Sequence, residues 1–292
     1  AATELMTLAQ DARTPAIVRA TALAELQTYL NPVVMPALEA GLADADPMVR
    51  GAALDTLLTA PPAQRVQLAS GLMDDPSAIV RIKAARALAV AQDEGMGEVM
   101  RARMEKVFGE YVASQRANAD RPEAHINLGL FYAERRDPRQ SENEYRAALR
   151  LDPKFVPAYV NLADLYRVYN READAEAMLT AGLQDDPGNA DLSHALGLLR
   201  IREGRAVDAL PLLATATQAA PTNARYAYVY GVALHDSGHA TQGIRVLEQA
   251  LGRFPRNPDL LSALASFARE AGDTKHAEEY AKRMADLVPP HG

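Results

Sequence analysis

The residues best suited to binding a metal ion are two histidines that lie four positions apart, His235 and His239. On one continuous helix this spacing would place both imidazole rings on the same face, where they could share a metal ion. Ser237 and Gly238 stand between them, however, and a serine–glycine pair is typical of a turn. We therefore interpret both histidines as solvated residues on either side of a turn and assign no metal site.

Three pairs of adjacent carboxylates could in principle serve acid–base chemistry: Asp74-Asp75, Asp185-Asp186 and Glu278-Glu279. Each pair falls at a predicted helix end or on an exposed face, where solvation explains it. The sequence contains no G-x-G-x-x-G, Walker, G-x-S-x-G or H-E-x-x-H motif. It also contains no cysteine, which excludes disulfides, thiolate metal sites, iron–sulfur clusters and covalently attached haem. We predict a non-catalytic protein with no catalytic residue, no metal and no cofactor.

The composition is that of a globular, helical protein. Of the 292 residues, 48% are hydrophobic and 24% are charged, which is ordinary for globular domains. Alanine and leucine dominate the apolar share and aromatic residues make up only 5%, which favours helices. The net charge of −7 argues against nucleic-acid binding, and no run of 18 apolar residues could span a membrane. The chain begins inside a predicted helix without a signal peptide, so we expect residue 1 to be a cut position in a longer protein.

A 34-residue repeat organises the C-terminal part of the sequence. Five prolines mark it at constant intervals: Pro153, Pro187, Pro221, Pro255 and Pro289. Each is preceded by two apolar-periodic stretches that a turn separates, which predicts a pair of helices per repeat. Because proline lacks an amide donor and clashes with the preceding helical turn, it is expected to end each second helix.

Small residues recur at two positions of this repeat. The eighth position is always glycine or alanine: Gly129, Ala163, Gly197, Gly231 and Ala265. The twentieth position is small as well: Ser141, Ala175, Ala209, Gly243 and Ala277. The seventh and twenty-fourth positions are mostly leucine or tyrosine. Small residues beside large ones predict a hairpin whose two helices approach closely and pack to interior density.

These positions resemble the consensus of the tetratricopeptide repeat (TPR), and residues 122–289 resemble five TPR units in tandem. The turn glycine of the consensus is present in the last three repeats, at Gly204, Gly238 and Gly272. Arg136 and Asn170 replace it in the first two. The resemblance implies stacked helical hairpins, and we assign residues 122–292 to this array.

A different repeat fills the N-terminal third. Valine–arginine pairs recur every 31 residues: Val18-Arg19, Val49-Arg50 and Val80-Arg81. Asp46-Pro47 and Asp75-Pro76 precede two of these pairs, and an aspartate there is expected to cap the following helix. The pattern resembles HEAT repeats, which assigns 1–97 to HEAT-like repeats and 98–121 to a connecting helix. We therefore predict an all-α protein, a right-handed α-solenoid of HEAT-like and then TPR helical hairpins.

The first helices of TPR units line the concave face of such arrays, at repeat positions 2, 5, 9, 12 and 13 and often at position 6. By that resemblance the partner-binding residues are Ile126, Asn127, Leu130, Val160, Asn161, Asp164, Arg167, His194, Leu198, Ile201, Arg202, Tyr228, Val232 and His235. They form a largely apolar stripe with a few polar groups, which is typical of a surface that binds a peptide or a helix. The lysines of the carboxylate clamp in chaperone-binding TPR proteins are missing from this face, which argues against recognition of an acidic C-terminal tail.

Three stretches also resemble the C-terminal part of bacterial multihaem cytochrome c proteins that end in HEAT and TPR repeats. They are ANADRPEAHINLG from 117, DPKFVPAYVNLADLYR from 152 and NARYAYVYGVALH from 223. The haem motifs of that family lie upstream and none is present here, so no residue of this chain is assigned to electron transfer. The resemblance implies a periplasmic location, with a cytoplasmic one as the alternative, and a haem domain outside this chain.

Two functions are consistent with the sequence. The first is a protein-interaction scaffold that binds a peptide, a helix or a neighbouring domain, including the missing N-terminal domain of the same protein. The second is the structural or docking arm of a larger multihaem cytochrome. Both predict a protein partner, no nucleic acid and no membrane span.

Overall fold

The computed structural model describes residues 2–29, 31–92 and 95–287. Every regular element in these ranges is helical, which confirms the all-α prediction. The helices of the N-terminal part are α1 Ala2–Gln10, α2 Ala16–Leu26, α3 Met35–Leu42, α4 Pro47–Leu57, α5 Pro62–Ala69, α6 Ala78–Leu88 and α7 Glu98–Arg116. Those that follow are α8 Pro122–Glu134, α9 Pro138–Leu151, α10 Val156–Val168, α11 Glu172–Asp185, α12 Ala190–Arg202, α13 Ala206–Ala219, α14 Ala224–Asp236, α15 Ala240–Arg253, α16 Pro258–Glu270 and α17 Thr274–Ala285.

The chain divides into two compact units. Unit 1 comprises Ala1–Pro153 and unit 2 comprises Lys154–Gly292. The division falls after the first 34-residue hairpin, so unit 1 contains α1–α9 and unit 2 contains α10–α17. Within each unit consecutive helices pack on one another as helical hairpins. The assignment of residues 1–97, 98–121 and 122–292 to separate repeat types stays a prediction from the sequence.

The 34-residue register is visible in the helix boundaries. The first helices of the five hairpins begin at Pro122, Val156, Ala190, Ala224 and Pro258, each 34 residues after the last. Four of the five repeat prolines lie in the loop after a second helix, two residues beyond the end of that helix, whereas Pro289 lies outside the described residues. Leu162, at the seventh position, is fully buried. The predicted pairing of two helices per repeat is therefore confirmed.

The small residues lie where the helices of a hairpin touch. A Cβ atom added to Gly129 would come within 2.2 Å of the Tyr145 ring. A Cβ atom added to Gly243 would come within 2.5 Å of the carbonyl oxygen of Gly231, which is a contact between two backbones. Ser141 uses the same proximity, since its hydroxyl donates a hydrogen bond of 2.8 Å to the carbonyl of Gly129. Any larger side chain at these positions would push the two helices apart.

Arginine–carboxylate pairs join the helices of unit 1. Arg19 donates two hydrogen bonds of 2.9 and 2.8 Å to the carboxylate of Asp44. Arg50, 31 residues later, repeats this geometry on Asp75 at 2.8 and 2.9 Å. Arg81 donates at 2.8 Å to Glu110 of α7. The guanidinium group of each of these arginines thus donates hydrogen bonds to a carboxylate that lies later in the chain. This contact explains why an arginine recurs every 31 residues.

The two aspartates expected to act as helix caps have different roles. Asp46 caps α4, because its carboxylate accepts a hydrogen bond of 2.8 Å from the backbone N–H of Met48. The expectation is wrong for Asp75, since α6 begins three residues later and Asp75 is buried against Arg50. Burial acts to raise the pKa of Asp75, but hydrogen bonds from Arg50 and from the Ser77 backbone outweigh it and hold this pKa below its ordinary value. Asp75 is therefore a structural ion-pair partner and not a solvated carboxylate.

A second buried charge cluster attaches α7 to the first hairpin within unit 1. Glu144 is buried and accepts hydrogen bonds from Arg116 of α7. Its Oε2 atom also lies 2.7 Å from Nδ1 of His125, which is buried as well. The other ring nitrogen of His125 lies 3.1 Å from the carbonyl oxygen of Ala119. His125 occupies the position of the consensus tryptophan, so here a polar network replaces an aromatic side chain.

The hairpin turns require a left-handed backbone. Gly204, Gly238 and Gly272 have φ angles of 72°, 85° and 73°. Arg136 and Asn170, which replace this glycine in the first two hairpins, adopt φ angles of 58° and 55°. The turn is therefore the same in all five hairpins, and two of them contain a side chain in a conformation that glycine adopts at lower cost.

Replacement of Arg136 by glycine should stabilise the protein by about 0.5–1 kcal/mol, because it removes the cost of a Cβ atom in the left-handed region. The reverse change, Gly204→Ala, should destabilise it by about 1 kcal/mol at the equivalent position. Urea denaturation followed by circular dichroism measures both. Asn170→Gly is the matched control and should have a smaller effect, since asparagine tolerates this conformation. A loss of stability in Arg136→Gly would contradict the strain assigned to this turn.

Candidate functional site

Unit 2 contains a cavity of about 490 Å³ on the first helices of three consecutive hairpins. Its apolar lining consists of Val156, Pro157, Val160, Ala163, Ala175, Leu179, Ala195, Leu198 and Leu199. Its polar lining consists of Asn161, Asp164, Arg167, Asp191, His194, Arg202, Asn223, Arg225 and Tyr226. All but two of these residues belong to α10, α12 and α14 or to the loop before α14, and Ala175 and Leu179 of α11 complete the wall.

Four of the five charged lining residues lie at the ends of these helices, and Asp164 lies about one turn before the end of α10. Arg167 lies in the last turn of α10, and Arg202 is the last residue of α12. Asp191 and Arg225 lie in the first turns of α12 and α14. The middle of the cavity is apolar, so the lining runs from charged to apolar and back to charged. This pattern suits an elongated ligand that has both kinds of group.

Positive charge exceeds negative charge around the cavity, although the whole chain carries a net charge of −7. Arg167 contacts Asp164 at 3.3 Å between Nε and Oδ1. Within the described residues, the side chains of Arg202 and Arg225 make no hydrogen bond or ion pair. Partial desolvation of Arg202 by the cavity wall and then the neighbouring charge of Arg167 lower the pKa of Arg202 below its ordinary value. Arg167 and Arg202 thus repel each other, and an anion would relieve this repulsion.

His194 is a buried polar residue with unsatisfied nitrogens. Only 8% of the residue is exposed, and neither ring nitrogen has a hydrogen-bond partner among the described residues. Its ring stacks on Tyr226, with the centroids 4.3 Å apart. Burial, with smaller contributions from Arg225 and Arg202, lowers the pKa of His194 to about 4. The imidazole is therefore neutral at pH 7 and has one donor and one acceptor to offer.

Tyr226 is held in place from both sides. Its hydroxyl donates a hydrogen bond to Oδ1 of Asp191, and its ring stacks against the imidazole of His194. Burial and then the hydrogen bond to Asp191 raise the pKa of Tyr226 to about 12. The phenol stays protonated under all ordinary conditions, so the Tyr226–Asp191 pair is a fixed part of the cavity wall.

The structure brings together half of the predicted partner-binding residues. Seven of the fourteen line the cavity: Val160, Asn161, Asp164, Arg167, His194, Leu198 and Arg202. Ile201 is partly exposed on α12 but is not part of the lining. Tyr228 and Val232 pack against the core of the last two hairpins. His235 stacks on Phe267, with the ring centroids 3.5 Å apart.

The three predicted residues on α8 belong to unit 1. Ile126 is buried, with 9% of its surface exposed. Asn127 is exposed and donates a hydrogen bond of 3.0 Å to the side chain of Gln115. Leu130 is partly exposed. A role of these three residues in partner binding stays a prediction.

Sequence reasoning missed Asp191, Arg225 and Tyr226. Asp191 and Arg225 occupy the second position of their repeats, as does Pro157, and all three line the cavity. The family rule for the concave face includes that position, so the signal was available. Tyr226, at the third position, carries no such signal. Its role depends on the stacking with His194 of the preceding hairpin, which only the structure shows.

Metal-ligating side chains do not cluster in residues 2–29, 31–92 and 95–287. No group of three or more histidine, aspartate or glutamate side chains in this part could hold a metal ion. His235 and His239 fall on α14 and in the loop before α15, as the serine–glycine turn predicted. Among the described helices none has the length and apolarity to cross a membrane.

Family models identify the repeats. One tetratricopeptide repeat model matches residues 132–199 and 169–233, and another matches residues 233–291. Together they span more than half of the chain. A model of the HEAT repeat associated with sister chromatid cohesion matches residues 27–57. These matches confirm both repeat types, and they lend no support to the resemblance to multihaem cytochromes.

The chain is similar to several solved structures. MamA is 18% identical, with a TM-score of 0.48 over 57% of this chain and 91% of that one. YrrB, described as a TPR protein with an unusual peptide-binding site, is 20% identical, with a TM-score of 0.46 over 61% and 92%. MamA from Desulfovibrio magneticus RS-1 is 19% identical, with a TM-score of 0.48 over 57% and 94%. No curated protein sequence matches the chain significantly.

The low pKa of His194 predicts a specific loss of stability in acid. An unfolded histidine titrates near 6.5, whereas the folded one titrates near 4, so the unfolded state binds more protons between these values. Stability should therefore be complete above pH 6.5 and fall as the pH decreases towards 4. Solvent screens part of the effect, and we expect roughly 1–2 kcal/mol to be lost at pH 4.5.

The matched variant for this test is His194→Gln, which is neutral at every pH. Urea denaturation at pH 7 and pH 4.5 should show a larger decrease for the wild type than for the variant. Equal decreases in the two proteins would show that His194 is not held neutral by its surroundings.

Proposed function

We propose that this chain, whose residues 132–291 belong to the tetratricopeptide-repeat family, is a non-catalytic interaction scaffold that binds a protein segment in the cavity of unit 2. The observation that carries the proposal is the cavity itself, which is apolar in the middle and polar at both ends. Its volume of about 490 Å³ lies within the range of ordinary ligand sites. The segment is a short peptide or one face of a helix.

Three apolar side chains of the cavity wall lie outside the buried core. Val160, Ala195 and Leu198 are partly exposed on the cavity wall, whereas Leu162 and Leu196 of the same helices are buried. Covering exposed apolar surface with a ligand is favourable by about 25 cal/mol per Å². The polar groups around this surface would orient the ligand and select among sequences.

The partner in this proposal is a protein or peptide. A separate chain fits it, and so does another domain of the same polypeptide. Nucleic acid does not, because the chain has a net charge of −7 and nucleic-acid binding requires a basic face. The prediction of a periplasmic location is independent of this proposal.

A single substitution in the cavity tests the proposal. Val160→Glu places a carboxylate on the apolar wall and should weaken binding at least tenfold, which corresponds to about 1.4 kcal/mol. Val207→Glu is the matched control, because Val207 is 85% exposed on α13 and lies outside the cavity. Ligands are obtained by selection from a random 12-residue peptide library, presented once with a fused and once with a free C terminus. Their affinities are measured by fluorescence anisotropy.

Circular dichroism and urea denaturation show whether both variants keep the fold. The proposal predicts that selected peptides bind the wild type and Val207→Glu alike and lose affinity for folded Val160→Glu. Peptides that bind all three proteins equally would place the site elsewhere and contradict the proposal. A failure of both library formats to yield any specific peptide would contradict it as well.

A further inference from the structure

The positive charge at one end of the cavity is not explained by binding of an apolar segment. Arg167 and Arg202 come from consecutive first helices, at repeat positions 12 and 13, and both line the cavity at the C-terminal ends of these helices. A purely apolar ligand would cover these guanidinium groups without replacing their hydration, which is unfavourable. A ligand that matches the cavity must therefore bring negative charge to this end.

The local acidic groups do not neutralise this end. Asp164 contacts Arg167 through one nitrogen at 3.3 Å, and both side chains are well exposed, at 60% and 36%. An exposed pair of this kind contributes little binding energy and is easily exchanged. Arg202 makes no hydrogen bond or ion pair with any described residue. The remaining donors of the two guanidinium groups are thus available to a ligand.

We propose that the protein segment bound by unit 2 carries an aspartate or glutamate side chain among apolar residues, and that its carboxylate binds between Arg167 and Arg202. The inference rests on the function proposed above and names the chemistry of its ligand. Guanidinium groups bind carboxylates through paired, charge-assisted hydrogen bonds, which gives both affinity and orientation.

The source of the carboxylate is a side chain and not a chain terminus. Arg202 is exposed, and Arg167 keeps a third of its side-chain surface in contact with solvent, so the guanidinium pair lies at an open rim. A bound chain can continue past such a rim in both directions. Asp164, the other charged lining residue near these arginines, is an acceptor and not a donor.

His194 provides a second, independent indication of a polar ligand. Its imidazole is more than nine-tenths buried in the cavity wall, and both nitrogens lack a partner among the described residues. It lies eight residues before Arg202 on α12, or about 12 Å along the helix axis. Three to four residues of extended chain span about that distance. A peptide that binds at Arg202 and continues along α12 for three to four residues therefore reaches His194.

The ligand side of the proposal is tested with the peptides selected above. Each selected peptide is synthesised with its acidic residue and with the corresponding amide residue, asparagine or glutamine. Both forms are made with a free and with an amidated C terminus. Replacing the acidic residue by asparagine or glutamine should weaken binding to the wild type by about tenfold or more. Amidation of the C terminus should change affinity less than twofold. Raising the salt concentration should weaken binding of the acidic peptide more than binding of the amide peptide.

The protein side is tested with Arg167→Gln and Arg202→Gln. Each substitution should weaken binding of the acidic peptide about tenfold and should change the affinity of the amide peptide less than threefold. The effect of the arginine substitution and the effect of the acid-to-amide change in the peptide should therefore not be additive. Arg253→Gln is the matched control, because Arg253 is an exposed arginine of unit 2 that does not line the cavity. It should leave both affinities unchanged.

The outcomes separate this inference from the proposed function. Some peptides could lose affinity for Val160→Glu but bind Arg167→Gln and Arg202→Gln as tightly as the wild type. That result would contradict the proposed binding of a carboxylate by the two arginines and would leave the cavity as the binding site. Peptides that come only from the free C-terminal format and are lost on amidation would overturn the side chain as the source. Peptides that are insensitive to Val160→Glu would overturn the function and this inference together.

Discussion

The close approach of the two helices in each hairpin is the constraint on which unit 2 depends. At Gly231 and Gly243 the backbones themselves are in contact, so neither position has room for a Cβ atom. Leu247 fills the space beside Gly231, as Leu213 does beside Gly197 in the preceding hairpin, and both leucines are completely buried. Because every hairpin repeats this packing at an interval of 34 residues, successive first helices present equivalent positions to the same face. The cavity is a consequence of that regularity, since it is built from equivalent positions of three hairpins.

The sequence predicts the framework well because the framework is local and periodic. Small residues, turn residues and prolines at constant spacing predict the helices of the hairpins to within a few residues, and even Arg136 adopts the glycine conformation that the register requires. The chemistry of the cavity is less predictable, since it depends on contacts between hairpins. The burial of His194 and its stacking on Tyr226 join residues 32 positions apart, and no spacing rule indicates them. Asp75 was misinterpreted for the same reason, because its partner Arg50 lies 25 residues away.

Both units combine apolar packing with ion pairs between neighbouring elements. In unit 2 the two helices of a hairpin pack through apolar contacts around small residues, and the buried Arg200 joins neighbouring hairpins through its ion pair with Glu176. In unit 1 paired arginines and carboxylates bridge neighbouring elements, and a buried His125–Glu144–Arg116 cluster replaces an aromatic side chain. Buried charge pairs contribute little net stability but penalise wrong pairings strongly. The register of both units therefore depends on the shape of the apolar contacts and on the hydrogen-bond geometry of the ion pairs.

The arginine pairs of unit 1 form one continuous chain of contacts. Asp44 binds Arg19 through its carboxylate and Arg50 through its carbonyl oxygen, and Asp75 binds Arg50 and Arg81 in the same way. Arg81 then reaches Glu110 of α7. Each inner arginine is thus shared between two repeats, and removing one repeat breaks the contacts of the next. Under a pulling force applied along the chain, unit 1 would yield in large cooperative steps and not one helix at a time.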